Sequence, residues 1–244
     1  EARLSTFLSA GDASSASIDR DAFLAGRITD LQSRLNIMNL TVDEDGGAML
    51  RFGRLFDLLH LPHRELETLQ RQLLQAQQAM LKPPGSGGSA PLLPTRFAQL
   101  AWLDVNDATL DALRPYTTLL PLAFGEPTPV NLNTAAAEVI YAAVPALDLA
   151  TAQRLVSLRQ RDPFRSAQQA LDAVGHADAD PSWASVSTAF FEIRGRLRLD
   201  DVTLEETAVV RRQDGSRGRG ISVTPLWRQH STLTQALDEL VPPE

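Results

Sequence analysis

The apolar period of this sequence changes twice, and that order restricts the folds open to it. From Phe23 to Leu40 the text FLAGRITDLQSRLNIMNL has short alternating runs, with Ile28, Leu35 and Ile37 as apolar entries on either side of a polar stretch at 30–33. That pattern predicts a β-hairpin. From Gly46 to about Gly175 the period becomes helical, and beyond residue 188 it returns to two. Strands at both ends and helices between them point to an α+β chain whose sheet is assembled from the two termini, with a helical part inserted. The predicted borders are 1–41, 42–187 and 188–244.

Within the helical block, Met49, Phe52, Phe56 and Leu59 form one stripe, and Leu66, Leu69, Leu73, Ala76 and Met80 form another. Pro62 separates the two helices because its ring cannot continue the first. KPPGSGGSAPLLP at 82–94 suits neither helix nor strand and reads as an exposed loop. Asn106 is placed to cap a short helix ending near Arg114, and Asn133 or Thr134 to cap the next, from about Ala135 to Val144. Asp148 is the N-cap candidate for a helix through Leu149, Ala152, Leu155 and Val156. Ser166 and Gln169 have capping-box spacing, and Gly175 is a suitable stop. Five or six helices are expected between 46 and 175.

The C-terminal third is strand-like. In TAFFEIRGRLRLD, Phe191, Ile193, Gly195, Leu197 and Leu199 point one way, and Glu192, Arg194, Arg196 and Arg198 the other. The expectation is one buried face and one wet face. A two-residue turn at Asp200-Asp201 places Arg196 opposite Glu205, a cross-strand ion pair. A third strand is expected near GISVTPLW, after the turn RQDGSRGRG that carries Arg211, Arg212, Arg217 and Arg219.

Charge and motif content exclude several activities. The formal net charge of −7 over 244 residues repels polyanions unless a local basic patch overcomes it. The sequence has no cysteine, hence no thiolate chemistry and no disulfide framework. G-x-S-x-G, P-loop, H-E-x-x-H and paired C-x-x-C motifs are all missing, so no catalytic and no cofactor-binding residue is assigned and the chain is read as a non-enzyme. His60 and His63 flank Pro62 without a third ligand, and His176 and His230 are isolated. The acidic clusters at 43–45 and 178–180 resemble fragments of calcium loops, since hard cations want several oxygens from one turn. Asp43, Glu44 and Asp45 are the better metal candidates, because Gly46 permits a tight turn, with Asp178 and Asp180 behind them.

VNLNTAAAEVIYAAVPALDLA at 130–150 has the layout of a helix-hairpin-helix, a unit that commonly grips nucleic acid. Such a grip needs a glycine turn bringing backbone N–H groups up to phosphate. Here Pro145 has no N–H to donate, and Asp148 puts negative charge where the phosphate would sit. The hairpin reads as a packing unit. DNA binding through it is the alternative function.

RITDLQSRLNIMNL, RPYTTLLP, VNLNTAAAEVIYAAVPALDLATAQRLVSLRQRDPFRSAQQAL and STAFFEIRGRLRL, in that order and spacing, resemble the K-type (GspK-like) minor pseudopilins of bacterial type II secretion. The most specific parts are the N-x-N-T-A helix start, the P-F-R-S that follows, and the F-x-I-x-G strand. The resemblance implies a pilin-like antiparallel sheet with an N-terminal helix and a large inserted all-α domain containing the helix-hairpin-helix-like unit. It implies a structural subunit at the tip of a periplasmic pseudopilus that initiates or caps the filament and supports protein export. Its expected partners are minor pseudopilins of the I and J types, with the H type and secreted substrates as further candidates and no nucleic acid. It further implies an inner-membrane anchor through an N-terminal apolar helix that precedes Glu1. Members of that family often carry an acidic calcium loop after the helix matching 64–81, where this chain has LKPPGSGGSAPLLP. That loop has no acids here and departs from the calcium-binding pattern, so calcium is a candidate ion only for the acidic clusters at 43–45 and 178–180, and no cofactor is required.

Overall fold

The computed structural model describes residues 2–3, 22–42, 45–81, 91–122, 125–199, 202–213 and 220–234. It falls into two compact units, Glu1–Asp30 with Ala189–Glu244, and Leu31–Thr188. The N-terminal helix that the resemblance implies falls on residues outside those described.

The first unit is a five-stranded antiparallel sheet. Strands β1 (Ala2–Arg3) and β2 (Ala22–Asp30) come from the N-terminal end of the chain. Strands β7 (Phe190–Leu199), β8 (Val202–Gln213) and β9 (Ser222–Thr234) come from the C-terminal end, in the order β1-β2-β7-β8-β9. β2 lies against β7 along its whole length, from Ala22 opposite Leu199 to Asp30 opposite Phe191. The sheet therefore joins the two ends of the chain. Leu199 pairs with Val202, which leaves two residues for the turn and sets Arg196 opposite Glu205. Their guanidinium and carboxylate are 3.3 Å apart, the ion pair expected from the spacing.

β9 is an edge strand, and that is what lets it hold a proline. Pro225 has no N–H to give a ladder, and the β8–β9 register shifts beside it, with Trp227 opposite Val209 and Pro225 opposite Val210. The clean burial contrast expected between the sheet faces is not found among the described residues. On the apolar face, Ile28 is 68% exposed, Ile193 38% and Leu204 48%. Arg211 and Arg212, read as part of a turn, belong to β8 itself; Arg217 and Arg219 lie outside the described residues.

Residues 23–40 do not form a hairpin. After β2 the chain makes a 3-10 turn (Leu31–Ser33), a two-residue strand β3 (Leu35–Asn36) and a second 3-10 turn (Ile37–Thr41). β3 pairs in parallel with β4 (Thr117–Thr118). The alternation was real, but β2 finds its partner in β7, and Leu35, Ile37 and Leu40 are fully buried in the helical core. The second unit thus begins at Leu31, ahead of the border at residue 42 drawn from the change of period.

Six α-helices lie among the described residues of this second unit. They are α1 (Gly47–Leu58), α2 (His63–Met80), α3 (Asp107–Leu113), α4 (Ala137–Ala143), α5 (Leu149–Arg159) and α6 (Ala167–Ala173), with a 3-10 helix at Phe97–Leu103. The two stripes are packed as their spacing required. Phe52, Phe56, Leu66, Leu69 and Leu73 are almost wholly withdrawn from water, while Met80, at the end of α2, is exposed. Each buried side chain of this size contributes about 2 kcal/mol. Asn106 caps α3 by accepting from Ala108 N at 2.8 Å.

Irregular chain between these helices is held by buried amides. Asn36 is fully buried and makes four hydrogen bonds: its Nδ2 donates to Leu120 O and Thr128 Oγ1, and its Oδ1 accepts from Met38 N and Leu120 N. That saturates the side chain. Asn39 donates to Thr128 O and accepts from Thr128 N, and Gln32 donates to Pro129 O at 3.0 Å. Leu120 and Thr128 thereby obtain from side chains the partners that a strand would have supplied.

Asn36→Leu, which keeps volume but strands the Leu120 backbone groups, is expected to lower unfolding stability by about 3 kcal/mol. Urea unfolding should move its midpoint down with the slope unchanged. A loss below about 0.5 kcal/mol would contradict this role, because unsatisfied buried groups cost more than that.

Candidate functional site

The segment containing the hairpin is framed by strands β5 (Val130–Asn131) and β6 (Ala184–Ser185), which pair in parallel. Asn131 turns the chain after β5: its Oδ1 accepts from Asn133 N, and its carbonyl accepts from Ala135 N. α4 then starts behind Ala136, which provides no side-chain cap. The cap expected from Asn133 or Thr134 is absent because Asn133 is engaged elsewhere. Its Nδ2 donates to Phe164 O at 2.8 Å and its Oδ1 accepts from Phe164 N at 2.9 Å. N-x-N-T-A and P-F-R-S, apart in sequence, are thus one structural contact.

The C-terminal end of α4 is closed by two arginines from α1. Arg51, buried, donates through Nε to Ala143 O at 2.9 Å and lies 4.3 Å over the ring of Trp183. Arg54 donates to Tyr141 O and Leu147 O, at 3.1 and 2.6 Å, and lies 4.0 Å over the Tyr141 ring. Positive charge at the carboxyl end of a helix is favourable, and here it also satisfies carbonyls that the helix leaves unpaired. Arg159, at the end of α5, reaches back to Leu132 O at 2.6 Å, and burial lowers its pKa.

Asp148 caps α5 as expected, accepting from Thr151 N at 2.7 Å. Hydrogen bonds from the Thr151 side chain and backbone hold its carboxyl below the usual value. The amide that a phosphate would use is therefore already bonded to a carboxylate. α6 is capped by Ser166, which accepts from Gln169 N. Gln169 closes on Arg165 N instead of the cap residue, at 2.7 Å. Gly175 follows with φ of 86°, a left-handed position that ends the helix.

Of the metal candidates, Asp45, Asp178 and Asp180 are among the described residues. Asp43 and Glu44 lie outside the described residues, and Asp45 is exposed before Gly46. Asp178 is exposed, and Asp180 accepts from both Ser182 N and Ser182 Oγ, at 2.9 and 2.6 Å, which lowers its pKa. Among the described residues no group of three His, Cys, Asp or Glu side chains could hold a metal ion. His63 is bonded to Asp57 at 2.6 Å, and His230 stands 3.8 Å from Glu206.

Sequence reasoning missed Asn36, Asn39, Arg51 and Arg54. The available signal was a polar side chain inside an apolar run, as in LNIMNL, since a buried amide in such a place must be bonded. Its partner is many residues away and leaves no local mark.

Both Asp148 and Asp180 are depressed acids. Their contribution to stability is present above the unfolded carboxylate value of about 3.9 and lost as pH falls through the lower folded values. The double variant Asp148→Asn, Asp180→Asn keeps an oxygen acceptor at each site. It should be less stable than the parent at neutral pH, where the ionised carboxylates contribute, and converge with it below about pH 4, as read by thermal unfolding across a pH series. Parallel acid profiles would contradict this assignment.

Residues 130–188 match the family model of type II secretion system protein K, a span that starts with β5, contains the hairpin and ends three residues after β6. No curated protein matches. Among solved structures, a chain of the crystal structure of the GspK-GspI-GspJ complex from the enterotoxigenic Escherichia coli type 2 secretion system is similar in fold. Its TM-score is 0.61 at 17% identity, covering 85% of this chain and 79% of that one. The chain is therefore GspK-like: its residues 130–188 are similar to type II secretion system protein K, and its α+β fold is that of a chain in the GspK-GspI-GspJ complex.

Proposed function

We propose that this protein is a structural minor pseudopilin of a type II secretion system, placed at the tip of the pseudopilus and assembled with partners of the I and J types. The observation that carries the reading is the agreement of two independent likenesses. The protein K model falls on residues 130–188, inside a fold shared with a chain of the GspK-GspI-GspJ complex. Its place is the periplasmic side of the inner membrane. No helix among the described residues is long and apolar enough to cross a membrane.

The role needs no chemistry. A helical unit between β2 and β7 gives this subunit bulk that a sheet alone lacks, and bulk at a filament end hinders the addition of another subunit above it. The assembly contacts in this reading lie on the sheet side and the N-terminal segment. Nucleic-acid binding through the hairpin is not supported by a turn without glycine and a second helix capped by its own carboxylate. A calcium site at Asp43, Glu44 and Asp45 would raise the melting temperature on adding millimolar calcium after chelation, and an unchanged value removes it.

Co-purification with the soluble domains of the I and J types from the same organism is the test. A complex at tens of micromolar is expected. Failure with all three domains folded, or a turnover activity abolished by one side-chain change, would overturn the reading.

A further inference from the structure

The outer edge of β9 carries a row of backbone groups whose direction follows from one hydrogen bond. Arg212 N donates to Ala189 O, so Arg212 turns its peptide groups towards β7. Peptide groups along a strand point alternately to either side, and Arg211, Val209, Thr207, Glu205 and Thr203 therefore turn towards β9. Their register partners there are Thr224, Trp227, Gln229, Ser231 and Leu233. The alternate residues Arg228, His230 and Thr232 direct N–H and C=O away from β8. Pro225, opposite Val210, falls in the same outward set, where a missing N–H costs the β8 ladder nothing. β9 ends the strand order β1-β2-β7-β8-β9, so among the described residues no strand meets this row. Side chains give it little cover, since Arg228, Gln229, His230 and Thr232 are all exposed. Proteins commonly blunt such edges with proline or a bulge. Here both devices stand before Trp227, and 228–234 run to the end of the strand with neither.

We propose that residues 228–234 of β9 are a docking edge, where an extended segment of a companion subunit of the filament tip adds as the next strand of the sheet. The identity of the companion rests on the function proposed above. N–H and C=O groups recurring at every second residue are matched by another extended backbone, which sets the chemistry of the occupant. The shortness of the edge sets what carries that backbone. A stable interface takes about 20–30 residues from each side, far more than 228–234 supply. A second copy of this chain joined through the edge alone would fall short of that, whereas a companion held in the filament by further contacts would not. Pro225 and the register shift beside it close the ladder at one end, so they limit how far the added strand can run.

Residue-resolved hydrogen exchange, on the free protein and on its mixture with the I- and J-type soluble domains, reads the edge directly. In the free protein the amides of Arg228, His230 and Thr232 should exchange as fast as exposed loops, and those of Gln229 and Ser231 more slowly. In the complex the first three should slow as well. His230→Pro removes one outward N–H, as Pro225 already does, so the melting temperature should change little while the complex weakens about tenfold. His230→Ala keeps that N–H and should bind as the parent does. If His230→Pro fails to fold, the exchange pattern decides. A complex in which the outward amides stay fast, or which His230→Ala weakens as much as His230→Pro, overturns the docking edge and leaves the proposed function standing. Slow exchange at these amides in the free protein also overturns it, because the row is then already paired. Self-association of the parent that is lost in His230→Pro overturns the companion as occupant. If the parent forms no complex with folded I- and J-type domains, the proposed function falls and the docking edge with it.

Discussion

The helical unit depends on side-chain amides that stand in for backbone partners. Segments around Leu120, Thr128 and Phe164 have no strand or helix to satisfy their peptide groups. Each instead exchanges a donor and an acceptor with one asparagine: Leu120 with Asn36, Thr128 with Asn39, and Phe164 with Asn133. An asparagine amide presents N–H and C=O side by side, so it imitates one rung of a ladder. In a dry setting such a rung strengthens, and an unmade one becomes costly. Irregular chain can therefore be buried among Leu35, Ile37 and Leu40 without orphaned groups.

Arginine does the corresponding work at helix ends. α4 is too short to be stable through propensity alone, and its last carbonyls face the turn at 144–147. Arg51 and Arg54 of α1 donate to that end and stack on Trp183 and Tyr141. Asp148 caps α5 from the other side by accepting from Thr151 N, so groups at both facing helix ends of the hairpin are bonded within the protein. A motif whose layout belongs to nucleic-acid binders is thus turned into a packing element, which agrees with a role built on shape.

Legibility in the sequence followed the range of the interaction. Asn106, Asp148 and Ser166 act within three residues of themselves, and their caps could be read from spacing. Arg196 and Glu205 could be paired because a short turn fixes register. The alternation at 23–40 gave β2 but not its partner, since period two says which residues share a face and nothing about the neighbouring strand. Asn133 was misread as a cap because capping is the local use of asparagine, and the competing use needed Phe164. The metal candidates were chosen from acidic clusters in short loops and the turn that Gly46 permits, and Asp180 proves to be bonded to Ser182.

The amide rungs bear directly on the likeness to protein K, because Asn133 and Phe164 both lie in the matched span 130–188. The family-like text is then the text that closes the helical unit. Native-state hydrogen exchange tests this most directly, because the N–H groups of Leu120, Thr128 and Phe164 all donate to asparagine oxygens. The account predicts that these three amides exchange only on global unfolding, with the protection of the α1 and α2 core. Exchange at the rate of exposed loop amides, with that core still protected, would contradict it.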